Sequence, residues 1–263
     1  MNPRDSDKPK DEAKITITDA SGAVVRDLKG TKEAGLNRVV WDLRLNPPSP
    51  PQEGQGGGGG FFGAPRGPRV LPGTYTIKVA AGDKNATTNV VVQEDPRIQI
   101  VEADRGKLKD AIAKVYALQK SAEAARRSMA GLRTQITALQ TSLKDNPDVP
   151  KASNEAVQKL ADSLNAIQKK LVAAPDNTGS AGPALPDEPR PLLSQITGIS
   201  FGLDSYTAAP TADELVRIDD LSKQLNDFIA ELNKFLSEDV ANVNKQLRDS
   251  GLQFLNPGKP IVP

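Results

Sequence analysis

This chain of 263 residues contains no cysteine and no histidine. Without cysteine there is no disulfide and no thiolate nucleophile. Without histidine there is no Ser-His-Asp or Cys-His arrangement and none of the usual zinc sites. Any catalysis would have to rest on carboxylates, Lys, Tyr or Ser–Lys pairs. The lack of Cys leaves the redox compartment open, since such a chain suits either side of a bacterial membrane. Aromatics amount to only 4%, with a single Trp, so the core must lean on Leu, Ile, Val and Ala. An excess of one charge sign is missing too: Lys plus Arg number 34 and Asp plus Glu 33. That balance exerts no general pull toward nucleic acid or an anionic membrane. No apolar run approaches the roughly 20 residues that span a bilayer. The opening MNPRDSDKPKDEAK has no apolar core of a signal peptide. A soluble chain without cofactor, nucleic-acid partner or membrane contact is expected.

What is present falls into two parts, and the length suits about two domains. Residues 1–13 are charged and hold Pro3 and Pro9, which predicts a disordered lead-in. From residue 14 to 95 the pattern is β. Ile15 and Ile17 alternate with Thr16 and Thr18, Asp19-Ala20-Ser21-Gly22 is turn chemistry, and Val24, Val25 and Leu28 follow. In AGLNRVVWDLRL, residues 34–45, Val39, Trp41 and Leu43 alternate with Arg38, Val40, Asp42 and Arg44. This predicts a central strand with Trp41 anchored in the core. Residues 46–69 break the pattern with PPSPPQEG and GQGGGGGFFG. No Lys-Ser/Thr follows these glycines, so they form no phosphate-binding loop but a flexible insertion. Within it, Phe61 and Phe62 either tuck against the sheet or offer a contact to a partner. Leu71-Pro72-Gly73 leads into a hairpin with Tyr75, Ile77 and Val79 on one face, a turn at Gly82-Asp83-Lys84, and a return through Val90, Val91 and Val92. Asn85-Ala86-Thr87 matches the glycosylation sequon but reads as a polar turn. About five strands result, short of the seven or so of a full immunoglobulin sandwich.

Asp95-Pro96-Arg97 marks a boundary, beyond which the period changes from 2 to about 3.6. Residues 96–250 read as helices. The first, capped by Asp104, runs to about Lys144 with a seam of Leu108, Ile112, Val115, Leu118, Ala122, Ala125, Met129, Leu132, Ile136, Leu139 and Leu143. A second covers about 151–173 and a third about 192–206, separated by the Pro/Gly-rich stretch 175–191. The fourth starts at Thr211, with Glu214 completing a capping box, and runs to about Asp249. Two long and two shorter helices predict an antiparallel, up-down-up-down, mostly four-helix bundle. The greater length of the first predicts uncovered seam and a homodimer through helices. The tail, 251–263, is predicted to be extended and to dock by Phe254 and Leu255.

The chemistry-bearing candidates are weak. Asp213/Glu214, Asp219/Asp220 and Glu238/Asp239 are sequence neighbours, which on a helix do not face each other across a cleft. Arg126-Arg127 and Lys169-Lys170 lack the aromatic interleaving of a nucleic-acid surface. No catalytic, cofactor or metal residue is assigned.

Two stretches carry a resemblance: ITDASGAVVRDLKGTKEAGLNRVVWDLR at 15–44 and GPRVLPGTYTIKV at 67–79. Together they resemble the small Ig-like domain, related to that of the flagellar hook-capping protein, found behind the β-propeller of bacterial sortilin-like, Asp-box repeat proteins, often described as glycosyl-hydrolase-like. VVVQEDPRI followed by a long helix resembles the helical tail of that family. The propeller and its Asp-box repeats are missing, so no hydrolytic residue carries over. The resemblance implies a periplasmic or secreted accessory module that packs on a β-propeller, in cis or in trans, with the bundle as spacer or docking arm. The alternatives are a carbohydrate-binding module, stacking sugar on Trp41, Tyr75 or Phe61 and Phe62, and a piece of a sialidase-like hydrolase whose active site lies in the propeller.

Overall fold

The structure, a computed structural model, describes residues 12–49, 66–144, 150–172, 190–249, 252 and 254–263. Phe61 and Phe62, most of the lead-in, most of the insertion loop and most of the 175–191 connection lie outside the described residues. The chain divides into two compact units, Met1–Val101 and Glu102–Pro263.

The first unit is a four-stranded antiparallel sheet in the order β2-β1-β3-β4. Its strands are β1 (Ala13–Thr18), β2 (Val24–Gly30), β3 (Gly73–Ala81) and β4 (Lys84–Val92). Register places Ile15 opposite both Leu28 and Val79, and Ile17 opposite Ile77. Because side chains alternate across a pleat, these residues share one face with Tyr75. Thr16, Thr76 and Lys78 take the other, where Thr16 bonds Asp27 at 2.9 Å and Thr76 bonds Asn89 at 3.0 Å. The β1–β2 turn is organised by Asp19, whose carboxylate accepts from the Ser21 hydroxyl (2.6 Å) and from the Ser21 and Ala23 amides. These bonds, the Ser21 hydroxyl first, hold the Asp19 pKa below its ordinary value.

The strand expected at 34–45 does not form. Leu43 has a φ of 56°, a left-handed conformation that no regular strand contains. The segment's backbone ties to its neighbours are few: an isolated bridge at Arg44 and Arg69, where Leu45 donates to Pro68 and Val70 donates to Leu43, both at 2.9 Å, and a bond from Asn46 to Val25 at 2.8 Å. Leu36 and Val40 are 99% and 71% exposed. The alternation belongs instead to a strap lying over the apolar face. Two glycines allow its close approach. A Cβ on Gly67 would stand 2.3 Å from the Leu45 carbonyl oxygen, and one on Gly30 2.9 Å from Val39.

The second unit holds α1 (Glu102–Lys144), α2 (Lys151–Leu171), α3 (Leu192–Ser205), α4 (Ala212–Lys234), a π-helical turn at Phe235–Asp239, and α5 (Val240–Asp249). The capping box at Thr211 and Glu214 is formed in both directions. Helix α1 begins two residues before Asp104, which falls in its first turn, where acids suit the helix dipole. The π-turn answers a step in the sequence. The seam Ile218, Leu221, Leu225, Phe228, Leu232 and Phe235 advances by threes and fours, then jumps five residues to Val240. An i→i+5 bond from the Val240 amide to the Phe235 carbonyl absorbs the extra residue, and Phe235, Leu236 and Val240 are all buried.

Helix directions depart from the alternating order. Arg133 bonds Asn165 and Gln140 bonds Gln158, so α2 runs antiparallel to α1. Arg217 bonds Gln195, and Gly202 lies beside Glu214, so α3 runs antiparallel to α4. Lys114 pairs with Asp219 early in α1 and α4. Further along, Gln135 of α1 and Asn244 of α5 hold adjacent tail residues, so α1 and α4–α5 run the same way. Helices α2 and α3 therefore share one direction, each covering a part of α1. Length explains this: at 1.5 Å per residue α1 is about 64 Å long, room for α2 (about 32 Å) and α3 (about 21 Å) in succession. The bare seam predicted for α1 is thus covered: its seam residues from Leu108 to Leu143 are buried or, at Ile112 and Leu118, partly buried against the same core. Leu118 is only partly covered, and Gln119 takes the buried position beside it.

Candidate functional site

Among the described residues, the sheet's apolar face offers a candidate site. The strap covers it only in part and leaves a cleft of about 630 Å³. Ile15, Ile17, Ile77 and Val79 form the floor, with Val39 and Trp41 on the wall; Lys32 and Glu33 stand at the same cleft. Trp41 is partly buried against the Ile17–Val25–Tyr75 core. Its ring meets Tyr75 edge-to-face, with centroids 5.4 Å apart and planes at 68°. Its indole N–H donates to the Arg44 carbonyl at 3.0 Å. Two arginines fasten the strap: Arg44 within it donates to the Gly67 carbonyl at 2.9 Å, and Arg26 of β2 donates to the Leu45 carbonyl at 2.8 Å.

Tyr75 is 7% exposed, and its hydroxyl donates to the Leu71 carbonyl at 2.6 Å. Burial, then the nearby Asp19 carboxylate, push its pKa up. With its ring enclosed, Tyr75 offers no open face for a sugar to stack on. The structure brings Trp41 and Tyr75 together, two residues that sequence reading placed on the buried faces of separate strands, while Phe61 and Phe62 lie outside the described residues.

The carboxylate and basic pairs are distributed over helix surfaces. Glu214 serves the capping box, Asp219 pairs with Lys114, and Glu238 lies 4.0 Å from Lys234. Arg126 reaches the buried Glu123 at 2.8 Å, and Lys170 reaches Glu231 at 2.6 Å. Among the described residues, no group of three or more metal-ligating side chains is gathered, and no helix is long and apolar enough to cross a membrane.

Sequence reading missed one polar feature altogether. Three side-chain amides of the helical unit each hold the backbone of one tail residue at two points. Asn244 accepts from the Leu255 amide and donates to its carbonyl, both at 2.7 Å. Gln135 does the same to Asn256, at 2.8 and 3.1 Å, and Asn233 to Ile261, both at 2.9 Å. The available signal was weak: α4–α5 holds four Asn, a poor choice in a helix, at 226, 233, 242 and 244, and nothing in their spacing singles out Asn233 and Asn244. Leu255 docks as expected, but Phe254 is 63% exposed and Ile261 is the second anchor.

Comparison with protein families, with curated proteins and with solved structures returns no match.

Proposed function

We propose that this chain is a non-catalytic accessory module that binds another protein through the cleft on its sheet. The observation that carries this reading is the cleft itself: an apolar floor left open by the strap, beside a Lys and a Glu. An apolar centre with polar surroundings is the anatomy of a protein-binding patch. The Ig-like reading of this unit gains support from Tyr75, whose hydroxyl bonds the backbone four residues upstream. That bond has the form of the tyrosine corner of such sandwiches, and the strap stands where a second sheet would pack. Together with the resemblance at 15–44 and 67–79, this favours a β-propeller of the sortilin-like type as partner, in a periplasmic or secreted setting. The helical unit serves as spacer or docking arm.

The test is co-purification of the full chain with such a propeller. Val39 on the cleft wall is 38% exposed, so Val39→Glu places a charge in the cleft without opening the core. Association that this substitution abolishes supports the reading. No association at high micromolar concentration, or association indifferent to Val39→Glu, contradicts it.

A further inference from the structure

Asn233, Asn244 and Gln135 form a second, independent feature, built to read peptide backbone. Each presents one donor and one acceptor to the N–H and C=O of a single residue, the pairing a neighbouring β-strand would make. The hydrogen bonds given to Leu255, Asn256 and Ile261 by these amides depend on no tail side chain. Side-chain selection comes from two sockets that bury Leu255 and Ile261, 3% and 9% exposed.

The geometry sets the shape of the occupant. Asn233 and Asn244 are separated by about 16 Å along the helix at 1.5 Å per residue. The six steps from Leu255 to Ile261 would reach about 20 Å fully extended. A turn takes up the difference: Asn256 Oδ1 accepts from the Gly258 amide at 3.0 Å, and Gly258 has a φ of 76°. Pro257 and Pro260, which have no N–H to donate, occupy positions that no amide clamps. The attachment is also narrow. Phe254 and Val262, just outside the anchors, are 63% and 78% exposed.

We propose that the groove between α1 and α4–α5 is a binding site for an extended, proline-bearing peptide of a partner protein, and that the tail occupies it as an intramolecular stand-in. The partner segment carries two aliphatic side chains six residues apart, with a turn between them and prolines only at unclamped positions. Displacing the tail opens the site.

The test keeps the full chain and releases its tail with Leu255→Asp and Ile261→Asp together. A labelled synthetic peptide of residues 252–263, wild-type in sequence, is titrated by fluorescence anisotropy against this variant and the unaltered chain. Helix content is followed by circular dichroism. The opened variant is expected to stay helical and to bind the peptide at least about tenfold more tightly than the unaltered chain. Adding Asn244→Leu to the opened variant is expected to weaken binding by about tenfold, the worth of a lost two-point bond. Three results overturn the proposal. One is a helical opened variant that binds no peptide at millimolar concentration. Another is binding indifferent to Asn244→Leu. The third is loss of helix on opening, which makes the tail an integral part of the fold. A concentration-dependent dimer of the unaltered chain that disappears in the opened variant assigns the groove to a second copy's tail, and likewise overturns it.

Discussion

Tyr75→Leu is the most informative single perturbation of the sheet unit, because the contact it removes involves the chain's only tryptophan. Three losses combine. The edge-to-face contact with Trp41, at 5.4 Å, is worth about 1 kcal/mol beyond area. The hydroxyl bond to the Leu71 carbonyl contributes about 1 kcal/mol. The smaller side chain leaves part of a buried site unfilled, at about 1 kcal/mol more. The total is about 3 kcal/mol. Tyr75→Phe keeps the ring and loses only the hydroxyl bond, about 1 kcal/mol. Urea unfolding followed by Trp41 emission reads this unit alone, since no other Trp exists. With a urea slope of about 1–2 kcal/mol/M for a unit of this size, the Leu variant should fall in midpoint by about 1.5–3 M and the Phe variant by about a third of that. Equal midpoints for the two variants would refute the ring contact. Wild-type emission at the wavelength of free tryptophan would refute the placement of Trp41 altogether.

Two further outcomes follow from buried and charged groups. The Asp19 pKa lies below its ordinary 3.8, so the carboxylate stabilises the β1–β2 turn above that pH and ceases to as pH falls through the depressed folded value. Asp19→Asn should therefore lower the urea midpoint at neutral pH, with the gap to wild type closing on acidification; a gap that persists in strong acid would contradict the assignment. In α1, Gln119 is 6% exposed, and its side-chain oxygen accepts no hydrogen bond. Gln119→Met, similar in volume and free of that buried acceptor, should raise stability by about 1 kcal/mol in thermal unfolding followed by helix signal, and a loss of stability would show that the amide is satisfied.

Much of the helical unit was legible in spacing, because a buried seam imposes its period directly on the sequence. The Thr211–Glu214 capping box reads from two residues three apart. The five-residue step from Phe235 to Val240 carried the π-turn in plain view. The direction of α3 was not legible, because short-range pattern carries no record of where a long connection delivers the next helix. The strap misled for a related reason. Period-2 alternation marks a segment with one face toward apolar surface, and a strap across a sheet meets that condition through Trp41 as a strand does, without a ladder of backbone bonds. The amide clamps depend on Gln135 meeting Asn256, partners 121 positions apart, which no local pattern encodes.

The most direct test of the protein-binding reading is Trp41 emission during titration of the full chain with a sortilin-like β-propeller, because Trp41 stands on the wall of the cleft. Docking predicts a saturable blue shift and protection from a soluble quencher, both lost with Val39→Glu. Unchanged emission and unchanged quenching at a propeller concentration that saturates a complex, or no complex at all, would contradict it.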